Sequence, residues 1–358
     1  MSTSTSSTTR FESVDARGIT VAAAGVKPLP VEQAPAYEAF EESEGFPLWR
    51  RLIWKDGEKA QAVVTLYTVP LVRGMHYLLA RKGPVWFKEN SPEREAQFRA
   101  DLRQYIRDEG DNAVYVRMNQ GYVADDLREP YNVITFERTV VIDTSSGTED
   151  GILETMQNDG RRAVRRAKKR AEKDGIVVRE TTGLSREEFD RHYAILAETA
   201  GRQGFSTHPK EHYWNLLDLL GPEHARLFTA FSGVDEHGAP AADAEILGWD
   251  LILVNDKMAA AQYGASSASG RRSLAPDLID FTAAATLGAE GIKGLDLVGA
   301  HSARCPDLYT VGRYKERFAQ SFTWVAPMWD MPLRPTVYRA LAATSHARKA
   351  LRERRSGE

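Results

Sequence analysis

Cysteine is almost missing from this sequence: Cys305 is the only one in 358 residues. An intrachain disulfide is thereby excluded, and a reducing compartment is the expectation. Cys305 precedes a proline and has no evident His partner, which argues against a nucleophilic role. No Cys/His group has metal-ligand spacing, so neither a metal nor another cofactor is expected. An excess of one charge is missing too. Lys and Arg number 47 against 50 Asp and Glu, a net charge of −3, so nothing draws the whole chain toward a polyanion. No apolar run approaches the roughly 20 residues of a transmembrane helix. The first residues, Met1-Ser-Thr-Ser-Thr-Ser-Ser-Thr-Thr, lack the apolar centre of a signal peptide. Residues 1–18 therefore read as a disordered tail, and a cytoplasmic location is expected.

What is present is the ordinary apolar and charged content of a soluble protein, in a chain long enough for two cores. Ile19–Ala24 reads as a first strand, and a helix follows near Tyr37–Ser43. Leu48–Trp54 and Ala60–Val69 flank the turn Lys55-Asp56-Gly57 as a hairpin, and Met75–Ala80 is a further strand. Pro92–Asp108 has Pro at its start, an apolar face through Phe98, Leu102, Tyr105 and Ile106, and Gly110 as its stop. Ala113–Met118 is a strand. The second half repeats the order: helices from Arg186 and Pro209, strands at Arg226–Phe231, Ile246–Val254 and Met258–Tyr263, then a helix from Leu274 and a strand at Leu295–Val298. Gly233–Ala242 reads as an exposed loop. Helix, three strands, long helix, strand thus occurs twice, which predicts an α/β (α+β) protein of two similar domains, each a mixed sheet flanked by helices.

Between the halves, residues 150–174 read as one helix with a dense basic stretch. Eight cations, Arg161, Arg162, Arg165, Arg166, Lys168, Lys169, Arg170 and Lys173, meet only Glu172. Like charges at i,i+4 repel unless an anion is near, so a polyanion partner and a solvated face are both open readings. Arg339, Arg348, Lys349, Arg352, Arg354 and Arg355 repeat the theme on one C-terminal helix.

Four stretches in order carry a resemblance. Met156–Lys169 resembles a basic R-R-x-[IV]-R-x-A-x-K helix, and Thr199–Phe205 a T-x-x-R-x-x-F segment. Gln262-Tyr263-Gly264-Ala265-Ser266 resembles a Y-G-A-S turn, and Tyr314-Lys315-Glu316-Arg317-Phe318 an F-K-x-x-F turn. Together, from about Ile19 to Phe322, the chain resembles the Fem family of aminoacyl-tRNA-dependent transferases, which build peptidoglycan interpeptide bridges. The resemblance implies tandem GNAT-like domains: residues 19–140 with 325–358, and residues 141–324 with the basic helix. It implies aminoacyl-tRNA as donor and a peptidoglycan precursor as acceptor, either a UDP-linked muropeptide or a lipid-linked disaccharide peptide. Peripheral membrane contact is compatible with this; a transmembrane segment is not expected. Tyr314 stands where relatives have Phe, and Tyr37-Glu-Ala-Phe-Glu41-Glu42 where they often carry a Trp-rich segment ending in Lys. The coiled-coil arm of longer members is absent.

Aminoacyl transfer to an amine develops negative charge on the carbonyl and ribose oxygens, which a fixed cation stabilises. Lys315 suits that role, against the alternative of a surface lysine. Tyr314 suits stacking on the tRNA's terminal adenine, against core packing. Arg202 could grip a carboxylate or phosphate or close a helix-end salt bridge. Tyr263, beside Gly264, could bond the stem peptide or sit in the core. Asp296 is a base candidate, or, preferably, a partner for a basic neighbour. Arg161, Arg162, Arg165, Arg166, Lys168 and Lys169 would face the tRNA backbone. Rival readings are an acyl-CoA N-acyltransferase and a non-catalytic RNA-binding module. The first needs a [QR]-x-x-G-x-[GA] loop, whereas counting from Arg271 puts Leu274 and Pro276 at the small-residue positions.

Overall fold

In the computed structural model, residues 9–204, 206–235 and 239–356 are described, apart from the side chains of 203, 242 and 348–356. The chain divides into two compact units, Met1–Glu137 with Val325–Glu358, and Arg138–Trp324.

The first unit opens with β1 (Thr9–Val14), α1 (Ala16–Ala23) and α2 (Glu38–Ser43), followed by the hairpin β2 (Leu48–Asp56) and β3 (Lys59–Pro70). Then come β4 (His76–Ala80), β5 (Val85–Trp86), α3 (Pro92–Asp108) and β6 (Tyr115–Asn119). Two expectations are corrected at its start. Residues 9–18 are not a tail: β1 pairs antiparallel with β2 along its whole length. The expected strand Ile19–Ala24 is instead the end of α1 with its C-cap Ala24, because Asp15 caps the helix by accepting from the Gly18 N–H. A six-residue apolar run has no period that separates the two states.

The second unit begins with β7 (Arg138–Thr139), β8 (Val141–Asp143), α4 (Glu149–Thr155), α5 (Asn158–Asp174) and β9 (Ile176–Glu180). It continues with α6 (Arg186–Gln203), α7 (Lys210–His224), β10 (Ala225–Val234), β11 (Pro240–Asn255) and β12 (Met258–Ser266). α8 (Ala268–Arg272), α9 (Ala275–Ala289), β13 (Gly294–Asp296), α10 (Tyr309–Lys315), a 3-10 turn (Glu316–Phe318) and β14 (Thr323–Trp324) complete it. The chain then returns to the first unit as β15 (Met328–Pro332) and α11 (Pro335–Ser356).

The loop expected at Gly233–Ala242 is mostly strand where it is described, since β11 starts at Pro240. The single basic helix over 150–174 is two helices. Met156 and Gln157 are extended, and the Gln157 N–H and side-chain amide donate to the carbonyls of Arg317 and Glu316. Those bonds replace the helical ones and seat α5 on the turn after α10.

Each unit has one main sheet. In the first the order is β1-β2-β3-β4-β6-β15, with β5 on β3; in the second it is β8-β13-β12-β11-β10-β9. In both, three antiparallel strands lead through a long helix to a strand parallel to the third: β4–α3–β6, and β12–α9–β13. The repeat of element order is therefore real at the level of strand direction. The core of the second unit gathers Val164, Ala167 and Ala171 from α5 against Phe281 and Ala284 of α9, with Phe228 and Ile252 beneath. A buried ion pair ties β15 into the first sheet: Arg117 donates to both oxygens of Asp330 at 2.6 and 2.9 Å. Tyr338 donates to the same carboxylate, and the rings of Tyr77, Tyr115 and Tyr131 surround the guanidinium.

Candidate active site

The site lies in the second unit, around the parallel pair β12 and β13. β13 ends at Asp296, whose carboxylate accepts from the Val298 N–H at 2.7 Å and from the Thr139 hydroxyl. The bond to Val298 pins a turn in which Val298 and Gly299 both take positive φ, 54° and 78°. That turn aims two carbonyls at Lys315, whose Nζ donates to Val298 O at 2.7 Å and Gly299 O at 3.1 Å. Burial pushes the Lys315 pKa down, opposed by the negative charge of Asp280, Asp296 and Asp250. Lys315 is thus a half-buried ammonium held on fixed backbone dipoles.

Tyr314 packs against the core. Its hydroxyl donates to Asp280 Oδ2 at 2.6 Å, and the Arg317 guanidinium lies 4.5 Å from its ring centroid. That face is taken, so in this structure Tyr314 is a hydrogen-bond donor to Asp280 rather than an open stacking platform. Tyr263 bonds His212 Nε2 at 2.9 Å and packs edge-on against Tyr213. Arg202 donates to Ser266 O at 3.2 Å and pairs with Glu198 at 3.5 Å, as in its helix-end reading.

A cleft of about 270 Å3 has Asp250, Gln262, Gly264, Asp280, Tyr314 and Lys315 in its wall, with Thr199 and Val298 at its edge. Asp250 and Asp280 carry no motif and were not foreseen. Their carboxyl groups are hydrogen-bonded to each other. Burial, reinforced by Asp280, holds Asp250 well above the usual carboxylate range. Burial raises Asp280 to about 6, with the Tyr314 hydroxyl acting against it. Gly264 leaves room for this arrangement: a Cβ there would stand 2.3 Å from Asp250 Oδ1. The Y-G-A-S glycine makes room for an acid.

A second cleft, about 680 Å3, lies between α5 and the α10 turn. Arg162, Arg165 and Arg166 line it, together with Arg313 and Arg317, which pair with Glu316 and Asp277. Tyr314 and Lys315 face the first cleft while Arg313, Glu316 and Arg317 face the second, so one turn serves both. The remaining cations of the expected stripe lie elsewhere. Arg161 folds back to Met156 O at 2.6 Å, Lys168 pairs with Glu149 at 2.5 Å, and Lys169 is exposed outside the cleft wall. On the C-terminal helix Arg339 is exposed, whereas the side chains of Arg348, Lys349, Arg352, Arg354 and Arg355, like Phe205 of the Thr199–Phe205 segment, lie outside the described residues.

Two units of GNAT-like fold, one with an ammonium and two carboxyls beside its parallel strands, are the frame of this site. The FemAB family model matches residues 119–239. The crystal structure of FemX superposes with a TM-score of 0.70 at 14% identity, over 93% of this chain and all of that one. The C-terminal domain of a protein described as a lysylphosphatidylglycerol synthetase, from Agrobacterium fabrum, gives 0.53 at 11% identity, over 92% and 97%. A tandem GNAT protein from the clavulanic acid pathway gives 0.48 at 10%, over 91% and 98%. No curated protein matches the chain by sequence. Among the described residues no helix is long and apolar enough to cross a membrane.

Proposed function

We propose that this protein is a cytoplasmic aminoacyltransferase that moves an amino acid from charged tRNA to the stem-peptide amine of a peptidoglycan precursor. The observation that carries the reading is Lys315, an ammonium held by the carbonyls of Val298 and Gly299 in the wall of a narrow cleft. Attack of the amine on the aminoacyl ester puts negative charge on the carbonyl oxygen, and collapse passes it to the ribose oxygen. A pre-oriented cation stabilises both without reorganising. The arginine cleft on the other side of the same turn suits the phosphates of the tRNA acceptor end, which a guanidinium grips with two bonds.

Charged tRNA is favoured over acyl-CoA as donor by the segment entering α9. A pyrophosphate cradle needs small residues with free N–H groups there, whereas Leu274 takes a positive φ of 65° and Pro276 has no N–H. The test is transfer by the purified protein with a panel of charged tRNAs and with UDP-linked and lipid-linked precursors in parallel. Transfer should require charged tRNA and vanish after ribonuclease treatment. Comparable transfer from acyl-CoA without tRNA overturns the reading in favour of a CoA enzyme. Binding of tRNA without any transfer overturns it in favour of an RNA-binding module.

A further inference from the structure

Two carboxyl groups bonded to each other in a cleft wall are costly unless one keeps a proton, because each loses contact with water and repels the other. Asp250 lies on β11 and Asp280 on α9, where Asp280 also accepts from the Tyr314 hydroxyl. Gly264 stands opposite Asp250, and a Cβ there would crowd Oδ1 of its carboxylate. Lys315 does not neutralise the pair by contact, since its Nζ is bonded to the two backbone carbonyls.

We propose that Asp250 and Asp280 act as one proton-accepting pair that receives the ammonium of the acceptor substrate and takes its proton, with Gly264 as the residue that seats Asp250. This rests on the aminoacyl transfer proposed above and adds the missing base. The acceptor class is a primary amine on a slender chain, since a cleft of about 270 Å3 admits the end of a side chain and not a folded peptide.

The acceptor arrives as R–NH3+. The ionised carboxylate of the pair takes one proton and leaves R–NH2 in the cleft. The nitrogen lone pair forms the C–N bond at the ester carbon, and the carbonyl electron pair moves onto oxygen beside Lys315. Collapse breaks the bond to ribose, and the second nitrogen proton goes to the departing ribose oxygen. The products are an amide, a free ribose hydroxyl and one proton on the pair, which returns to solvent. The groups facing the pair are Asp277 on α9, Tyr314 and Lys315 on α10, and, through Lys315, Asp296 at the end of β13. Burial places the titration of Asp280 close to neutrality, where a base is both free and effective.

The test is the pH dependence of kcat for wild type, Asp280→Asn, Asp250→Asn and Gly264→Ala. Wild type should show an acid limb, with activity rising as the pair loses its proton. Asp280→Asn should lower kcat about a hundredfold and abolish that limb. Gly264→Ala removes no charge but displaces Asp250, and should lower kcat and move the limb while leaving KM for charged tRNA unchanged. Unaltered kcat and limb in Asp280→Asn, with wild type active, overturns the pair. So does a rise confined to KM for charged tRNA, which gives the carboxyls to the α-ammonium of the donor. Independently of turnover, carboxyl 13C resonances of Asp250 and Asp280 should shift when Nα-acetyl-lysine amide is added to wild type. Absence of that shift refutes the pair's role; its presence in a protein that transfers nothing from charged tRNA refutes the proposed function alone.

Discussion

Gly160 of the basic helix meets the carbonyl oxygen of Arg317 so closely that a Cβ on residue 160 would stand 2.1 Å from it. The obstacle is backbone, which cannot swing aside. This contact sets where the arginines of α5 sit relative to the turn that carries Lys315. Gly160→Ala should therefore destabilise the protein by about 1–3 kcal/mol, the usual range for overpacking a tight contact. A lower thermal midpoint together with a raised KM for charged tRNA is the expected pair of results. An unchanged midpoint would mean that the two segments part easily.

Lys315→Ala should lower kcat on the order of a hundredfold, the effect of losing one charge-stabilising donor. It also leaves the Val298 and Gly299 carbonyls without their partner, so a modest fall in thermal midpoint should accompany it. Lys315→Arg should restore little, because a planar fork cannot reproduce a point charge between two carbonyls. Turnover near wild type in a folded Lys315→Ala protein would remove the residue from the chemistry.

Replacing Arg162, Arg165 and Arg166 together by Gln should raise KM for charged tRNA and flatten its dependence on salt, since each phosphate contact releases counterions. KM for the precursor should hold. Replacing Arg161, Lys168 and Lys169 should do much less: the first two are bonded within the protein and the third is outside the cleft. Equal effects of the two triple variants would mean that the helix acts as a diffuse field rather than as one wall of a cleft.

His192, buried under β10 and β11, is kept neutral. Its Nδ1 faces the Glu188 carbonyl at 3.2 Å, so Nδ1 carries the hydrogen and Nε2 accepts from the Thr229 hydroxyl at 3.0 Å. Burial lowers its pKa from 6.5 to about 4. A depressed folded pKa gives stability that is present above 6.5 and lost as pH falls through about 4. The full effect is roughly 3 kcal/mol. Denaturant midpoints of wild type should fall across that window, and those of His192→Gln should fall less. Parallel curves would show that some other group governs acid stability.

The helix Pro92–Asp108 was legible to the residue because cap, apolar face and stop agree. The basic helix was legible as a helix but not in its break, since the bonds that open it at Gln157 come from residues 316 and 317. Lys315 stood out as a cation in an aromatic turn. The carboxyl pair did not, for a reason of register. Counting back from the turn at Asn255–Lys257, regular pairing would set Asp250 opposite Tyr263. A bulge between Leu251 and Ile252 shifts the strand by one and sets it opposite Gly264. An acid facing a glycine across a hairpin is a readable signal once that bulge is known. Asp280, thirty residues away on a helix, had no local signal at all.

The buried pair of Arg117 and Asp330 spans 213 residues of sequence. During synthesis at about 5–20 residues per second, on the order of 10–40 s separates the two halves of that bond. Throughout that interval β6 is an unpaired sheet edge, and Arg117, destined for the interior, has no counter-charge. The second unit, continuous from 138 to 324, has by then emerged whole. The order of birth at the ribosome is thus the reverse of the order of folding: the unit made first is finished last, and its closing strand is the step most exposed to truncation or delay.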